Sequence, residues 1–197
     1  LAMKDVKPAV EILGKKIEEG RHIRIIGDYD IDGVMSTYIL YQSLLGLGAR
    51  ADYTIPHRIL DGYGINEHLI EAAREDGVDT IVTCDNGIAA ADQIRRAKEM
   101  GMTVIVTDHH EVPFVEENGV RREILPPADA VVNPKQADCG YGFSGICGAV
   151  VAMKVMEALY RARKPQVDLV DRMLPYAAMA TVGDVMDLVG ENRIIVK

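Results

Sequence analysis

Three aspartates fall within six residues at Asp28-Tyr29-Asp30-Ile31-Asp32-Gly33, directly after the apolar run Ile23-Arg24-Ile25-Ile26-Gly27. A buried strand that delivers several carboxylates to one loop concentrates negative charge, and a chain folds around such a loop only if positive charge enters it. A divalent metal is the simplest source. A calcium loop of the EF-hand type also opens Asp-x-Asp-x-Asp-Gly, but it needs a bidentate Glu at loop position 12. Counted from Asp28, that position is Ile39, and the segment before Asp28 is strand-like. The EF-hand reading fails.

The arrangement recurs. Asp85-Asn86-Gly87 ends the run Ile81-Val82-Thr83, and Asp108-His109-His110 ends Thr103 to Thr107. Asp-Asn-Gly alone is an ordinary turn. The Asp-His-His trio says more, because adjacent histidines cannot point at one spot, so one is free to ligate metal while the other faces a substrate. Asp184, in Val182-Gly183-Asp184, follows a helical pattern and has to be carried in by the turn after it.

Between these runs, apolar periodicity predicts helices over 7–19, 34–45 and 66–75, the last capped by Asn66 and ended by Gly77. Further helices are predicted over 89–100, after Gly145 to about Arg161, and from Asp168, the last kinked or interrupted at Pro175. Strands are predicted at 23–26, 51–55, 80–83, 103–107 and 130–132, with a loop over 111–127 and a closing strand at Arg193–Lys197. Such β-α alternation predicts an α/β fold, a mostly parallel sheet with helices on both faces. Ligands of these sheets bind beyond the carboxyl ends of the strands, and Asp28, Asp30, Asp85, Asp108 and His109 all fall there.

Mixed carboxylate and imidazole donors without thiolate favour manganese or magnesium over structural zinc. The supply exceeds what one ion requires. Two ions sharing a carboxylate fit it better, and two-metal sites typically cleave phosphate esters. The net charge of −8 does not exclude nucleic acid, since bound cations would cancel much of it. Basic clusters at Arg95-Arg96-Lys98, Arg121-Arg122 and Arg161-Arg163-Lys164 read as solvated surface. No apolar stretch approaches the ~20 residues of a membrane span, and Leu1 to Asp5 shows no signal-peptide core. Cys84, Cys139 and Cys147, odd in number and without zinc spacing, read as small buried residues of a cytoplasmic protein.

In this order, the Asp28–Gly33 loop, Asp85-Asn86-Gly87, Asp108-His109-His110 and Asp184 resemble the motifs of the DHH phosphoesterase superfamily. Pro56-His57-Arg58, Asp61-Gly62-Tyr63-Gly64, Val132-Asn133-Pro134, Ser144 to Gly148, Ala180 to Leu188 and Glu191-Asn192-Arg193 resemble its RecJ-like, single-strand-specific exonuclease branch. The resemblance runs from about Ile23 to Arg193. It departs at Arg24 and Ile26, where histidines are common four and two residues before the first Asp.

The resemblance implies a catalytic lobe over 1–197 holding two Mn2+ ions, with Mg2+ an alternative. Asp28 and Asp30 would each serve a metal, Asp85 bridge both, and His109 and Asp184 complete the second site. Asp32 would ligate or act from behind the ligands, Asp108 orient its neighbours, and His110 contact the scissile phosphate or assist the leaving oxygen. Arg58 and the Ser144-Gly145 turn would grip backbone phosphates, the turn through amides at a helix start.

The implied activity is 5′-to-3′ hydrolysis of single-stranded DNA, with single-strand-binding protein and a helicase as partners of the full-length enzyme. Members of this branch carry DHHA1 and OB-fold domains outside the span seen here, so the lobe alone is expected to retain substrate weakly. Two other readings remain: a short-oligonucleotide or cyclic-dinucleotide phosphodiesterase, and a non-catalytic replication scaffold, which would expect degraded metal ligands.

Overall fold

This structure, a computed structural model, describes residues 3–59, 62–167 and 169–197. Five parallel strands form its sheet: β1 (His22–Ile26), β2 (Arg50–Thr54), β3 (Thr80–Cys84), β4 (Thr103–Thr107) and β7 (Ala130–Val132), in the order β2-β1-β3-β4-β7. Successive strand residues face opposite sides, as the pleat requires. Ile23, Ile25, Val82 and Ile105 enter one core with α1 (Val6–Glu18), α2 (Ile31–Gly46), α5 (Gly148–Arg163) and α6 (Val170–Gly183). Ile26, Ile81, Val104 and Val106 enter a second core with α3 (Glu67–Glu75) and α4 (Ala91–Glu99). Both faces are covered, which is why β3 and β4 are buried along nearly their whole length rather than at alternate residues.

The strand order fixes where a site can form. After β1 the chain leaves through α2 on one face, and after the neighbouring β3 it leaves through α4 on the other. The carboxyl ends of β1 and β3 therefore flank a crevice, the place where such sheets bind ligands. Asp28 stands on one side of it and Asp85 on the other.

Three expectations about local structure change. The segment 111–127 is not all loop: β5 (Phe114–Glu117) and β6 (Val120–Glu123) pair as an antiparallel hairpin. Its turn is Asn118-Gly119, with φ of 53° and 75°, the primed geometry that fits the twist of paired strands. The closing residues form α7 (Gly190–Val196) rather than a strand. The side chain of Asn192 anchors that helix by donating to the carbonyls of Gly145 and Asp187. Pro175 lies within a continuous α6, on its exposed side, where the carbonyl it leaves unpaired can turn to water. The predicted start of that helix, Asp168, lies outside the described residues, as does Asp61 of the Asp-Gly-Tyr-Gly motif.

Candidate metal centre

Each acidic side chain is placed by a different local device. Asp28 follows β1 and is fully buried; the amides of Tyr29, Gly64 and Asp30 lie near its carboxylate, but neither oxygen completes a well-formed hydrogen bond. Asp30 caps α2, accepting from the Gly33 amide at 2.9 Å. That turn is tight: a Cβ on Gly33 would come within 2.6 Å of the Asp28 backbone, so the loop can fold back on itself only with glycine there. Asp32, the second residue of α2, is fully buried. Its two oxygens accept from the amides of Gly148 and Ala149 at 2.6 and 2.7 Å, capping α5.

Asp85 takes the left-handed conformation at φ 59°, a strained choice for a residue with a Cβ. Its amide donates to the Thr107 carbonyl, and its own carbonyl accepts from the Tyr63 hydroxyl at 2.9 Å. Asn86 holds the turn down: its Nδ2 donates to the carbonyls of Ile26 and Cys84, and its Oδ1 accepts from the Ile65 amide. The Asp85 carboxylate is buried with no hydrogen bond to either oxygen.

The trio after β4 divides as follows. Asp108 turns inward and accepts from the amides of Ile88, His109 and His110 and from His110 Nδ1 at 2.7 Å. His109 is buried, and its Nε2 lies 3.2 Å from Asp85, 3.5 Å from Asp32 and 3.6 Å from Asp184. His110 is exposed, and its Nε2 lies 3.3 Å from the Tyr63 hydroxyl. Asn133 donates to the His110 carbonyl from the loop after β7. Asp184 caps the carboxyl end of α6, half-buried, and the helix turn does bring it to His109.

Three sets of donors thus converge, each with its ligand atoms within 4.8 Å of one another: Asp28, Asp30 and Asp85; Asp85, His109 and His110; Asp32, His109 and Asp184. Asp85 belongs to two of them. Burial, and then the charges of Asp32, Asp30, Asp108 and Asp184, push the Asp85 carboxyl up to about 11. Burial raises Asp28 and Asp184 as well. Asp108 behaves oppositely: burial would raise it, but His110 and the amides it accepts from hold it below the usual carboxylate range. The Asp108 hydrogen bond in turn raises His110.

These residues fit divalent cations. Buried carboxylates without hydrogen bonds are costly, and hard cations remove that cost while matching oxygen and imidazole donors. Thiolates are not part of the set: Cys84 and Cys147 are buried, which pushes both thiols up.

The predicted phosphate-gripping residues stand apart from the donor sets. The Arg58 guanidinium lies 4.5 Å from the centroid of the Tyr29 ring. Ser144 and Gly145 precede α5, which begins at Gly148, and its first amides are already engaged by Asp32. Arg24, at one of the departures from the family pattern, faces away from the crevice and pairs with Asp52 and Asp76. Sequence reasoning did not single out Tyr63 or Asn86 as supports of Asp85. The signal was their place in short polar-glycine motifs, which does not reveal what the side chains reach.

A five-stranded parallel α/β lobe with clustered carboxylates at its switch point defines a class of metal-binding domain. The family model described as "DHH family, N-terminal domain" matches residues 22–181, and the chain belongs to this family. It is 40% identical over 193 residues to the single-stranded-DNA-specific exonuclease RecJ of Bacillus subtilis, covering 98% of this chain and 23% of that protein. To the Escherichia coli protein of the same name it is 34% identical over 200 residues, covering 96% of this chain and 33% of the relative. The chain therefore spans a quarter to a third of the length of these relatives.

Among solved structures, an exonuclease RecJ bound to manganese superposes with a TM-score of 0.84 at 32% identity, covering all of this chain and 47% of that one. RecJ from Thermus thermophilus in complex with Mn2+ gives 0.77 at 31% identity, covering 26% of that chain. The expected fold class holds: a parallel α/β sheet with helices on both faces and the acidic cluster at its carboxyl ends.

Proposed function

We propose that this chain is the catalytic lobe of a metal-dependent exonuclease that hydrolyses single-stranded DNA from the 5′ end. The observation that carries the reading is Asp85: a buried carboxylate without hydrogen bonds, shared by two sets of ligands at the switch point of the sheet. The relatives add support, since both are named single-stranded-DNA-specific exonucleases. Solved RecJ structures carry Mn2+ and, in one case, Mg2+. Manganese as the working ion, a cytoplasmic location, and single-strand-binding protein and a helicase as partners belong to the same proposal.

Two ions would be held by Asp28, Asp30 and Asp85 on one side and by Asp85, His109 and Asp184 on the other. Bound divalent ions supply acidification of water and neutralisation of charge on phosphoryl oxygens. The chain's own groups do the rest. Asp108 fixes His110 through Nδ1, which leaves Nε2 to face the substrate. That Nε2 hydrogen-bonds a phosphoryl oxygen and gives its proton to the leaving oxygen as the phosphorus–oxygen bond breaks. Asp32 serves from behind, locking α5 against the loop that carries Asp28 and Asp30. Arg58 leaves the Tyr29 ring to meet a backbone phosphate, and the Ser144-Gly145 turn offers a second polar contact.

Manganese titration by calorimetry on the parent and on Asp85→Ala tests the reading, followed by assay of 5′-labelled single strands. Two ions in the parent and crippled binding in the variant are expected. A parent that binds no manganese would remove its foundation.

A further inference from the structure

A cleft of about 350 Å³ opens beside His110, between the loop that carries Tyr63 and the turn leading into α4. Its walls are largely apolar, with Ile65, Ile88 and Ala90 on the inner side and the half-exposed Tyr63 ring on the outer. Polar groups are few: Gln93 projects from the first turn of α4, and Glu111 stands at the rim, paired with Lys135 at 3.1 Å. No lysine or arginine lines the cleft among the described residues. Its ionisable members besides Tyr63 are His110, Asp108 and Glu111.

Charge decides what such a cleft accepts. Glu111 is offset by Lys135, and Asp108 is saturated by the amides and His110 that donate to it. Away from His110 the walls therefore carry, among the described residues, no free positive charge for a phosphate, whose place is at the cations that the acidic cluster would hold. An uncharged, flat, partly polar group is suited to the cleft. One end of the space touches His110, the residue assigned to the scissile phosphate, so an occupant is a group covalently adjacent to that phosphate. The aromatic wall and the neutral amide at Gln93 match a heterocycle that stacks on one surface and hydrogen-bonds through its edge.

We infer that this cleft is a nucleobase slot, holding the base of the nucleotide whose phosphate sits at His110. The inference rests on the exonuclease reading for its phosphate position and adds a recognition element to it. The slot makes the enzyme a reader of base presence rather than of sequence. Stacking tolerates every base, whereas a nucleotide that has lost its base leaves the apolar wall open to water.

The two ligands that test it are thymidine 5′-monophosphate and deoxyribose 5-phosphate, each titrated with Mn2+ present into the parent, Ala89→Trp and Gln93→Ala. Ala89 is an exposed turn residue lining the cleft, so a tryptophan there fills the space without entering the core. The parent is expected to prefer the nucleotide by about tenfold or more, the usual scale of one base–aromatic stack. In Ala89→Trp that preference collapses, and in Gln93→Ala it shrinks. Strands abasic at the nucleotide that carries the scissile 5′-phosphate, the second from the 5′ end, should be cut correspondingly more slowly than intact ones by the parent, with the difference lost in Ala89→Trp. Equal affinities in the parent, or an undiminished preference in Ala89→Trp, would overturn the slot even if strands are still cut. A chain that binds no manganese yet keeps the preference would sink the exonuclease reading and leave the slot standing.

Discussion

The Asp32 carboxylate accepts hydrogen bonds from two successive amides, Gly148 at 2.6 Å and Ala149 at 2.7 Å, and so joins the first acidic loop to the start of α5. A Cβ on Gly148 would lie 2.9 Å from Asp85 Cβ and Oδ1 and 3.1 Å from Asp32 Oδ2. The helix end, the cap and the carboxylate shared by two donor sets occupy one tightly filled volume.

Gly148→Ala should therefore destabilise, although alanine is the better helix former by about 1 kcal/mol. Overpacking against a fixed neighbour costs roughly 1–3 kcal/mol, and Asp85 is held on its strained backbone by three strands' ends. Urea unfolding should show a net loss, and calorimetry should show weakened manganese binding. Unchanged binding would mean that Asp85 has room to retreat.

Asp85→Asn should separate stability from ion binding. Without metal the variant should be at least as stable as the parent, since it no longer buries a carboxyl among four others. With Mn2+ at a hundred times its dissociation constant, the parent should gain about 2.7 kcal/mol per site and the variant far less. Thermal melts with and without manganese read both effects.

Asn86→Ala removes three hydrogen bonds that tie β1, β3 and the Tyr63 loop together. Buried groups left without partners make the expected cost roughly 3 kcal/mol. The Tyr63 hydroxyl should lose its hold on the Asp85 carbonyl as a result, visible as a drop in manganese affinity beside the drop in urea midpoint.

Acid stability should depend on a network far from the crevice. Burial would raise Asp52, but the two hydrogen bonds and the charge of Arg24, with His22 beside it, outweigh burial and hold it below the usual range. A carboxylate whose folded pKa is depressed contributes stability that is fully present above its unfolded value, about 3.9, and is lost as pH falls through the lower folded value. Urea midpoints measured from pH 6 down to pH 2.5 should fall more steeply for the parent than for Asp52→Asn. Equal slopes would remove Asp52 from the account.

The sheet and the acidic crevice were legible because β1, β3 and β4 are short, largely apolar runs each followed closely by an Asp, and a parallel sheet puts all such ends on one side. Asp184 was harder, since only the C-cap of α6 carries it to His109. The hairpin over Phe114–Glu123 escaped notice because its strands carry Glu116, Glu117, Arg121 and Arg122 and bury no apolar face. Its Asn-Gly turn was the available signal. Ile194, Ile195 and Val196 suggested a strand by composition, yet the buried anchoring of Asn192 sets a helix. The second attachment of Asp32 could not be read at all. An Asp in an acidic loop looks only like one more candidate ligand until the amides of α5, more than a hundred residues away, come into view beside His109.

The candidate ligands come from the ends of β1, β3, β4 and α6, from Asp28 at one extreme to Asp184 at the other. Each converging set of donors joins residues from distant parts of the sequence. A growing polypeptide therefore emerges without an assembled centre, and the donor sets arrive with the fold.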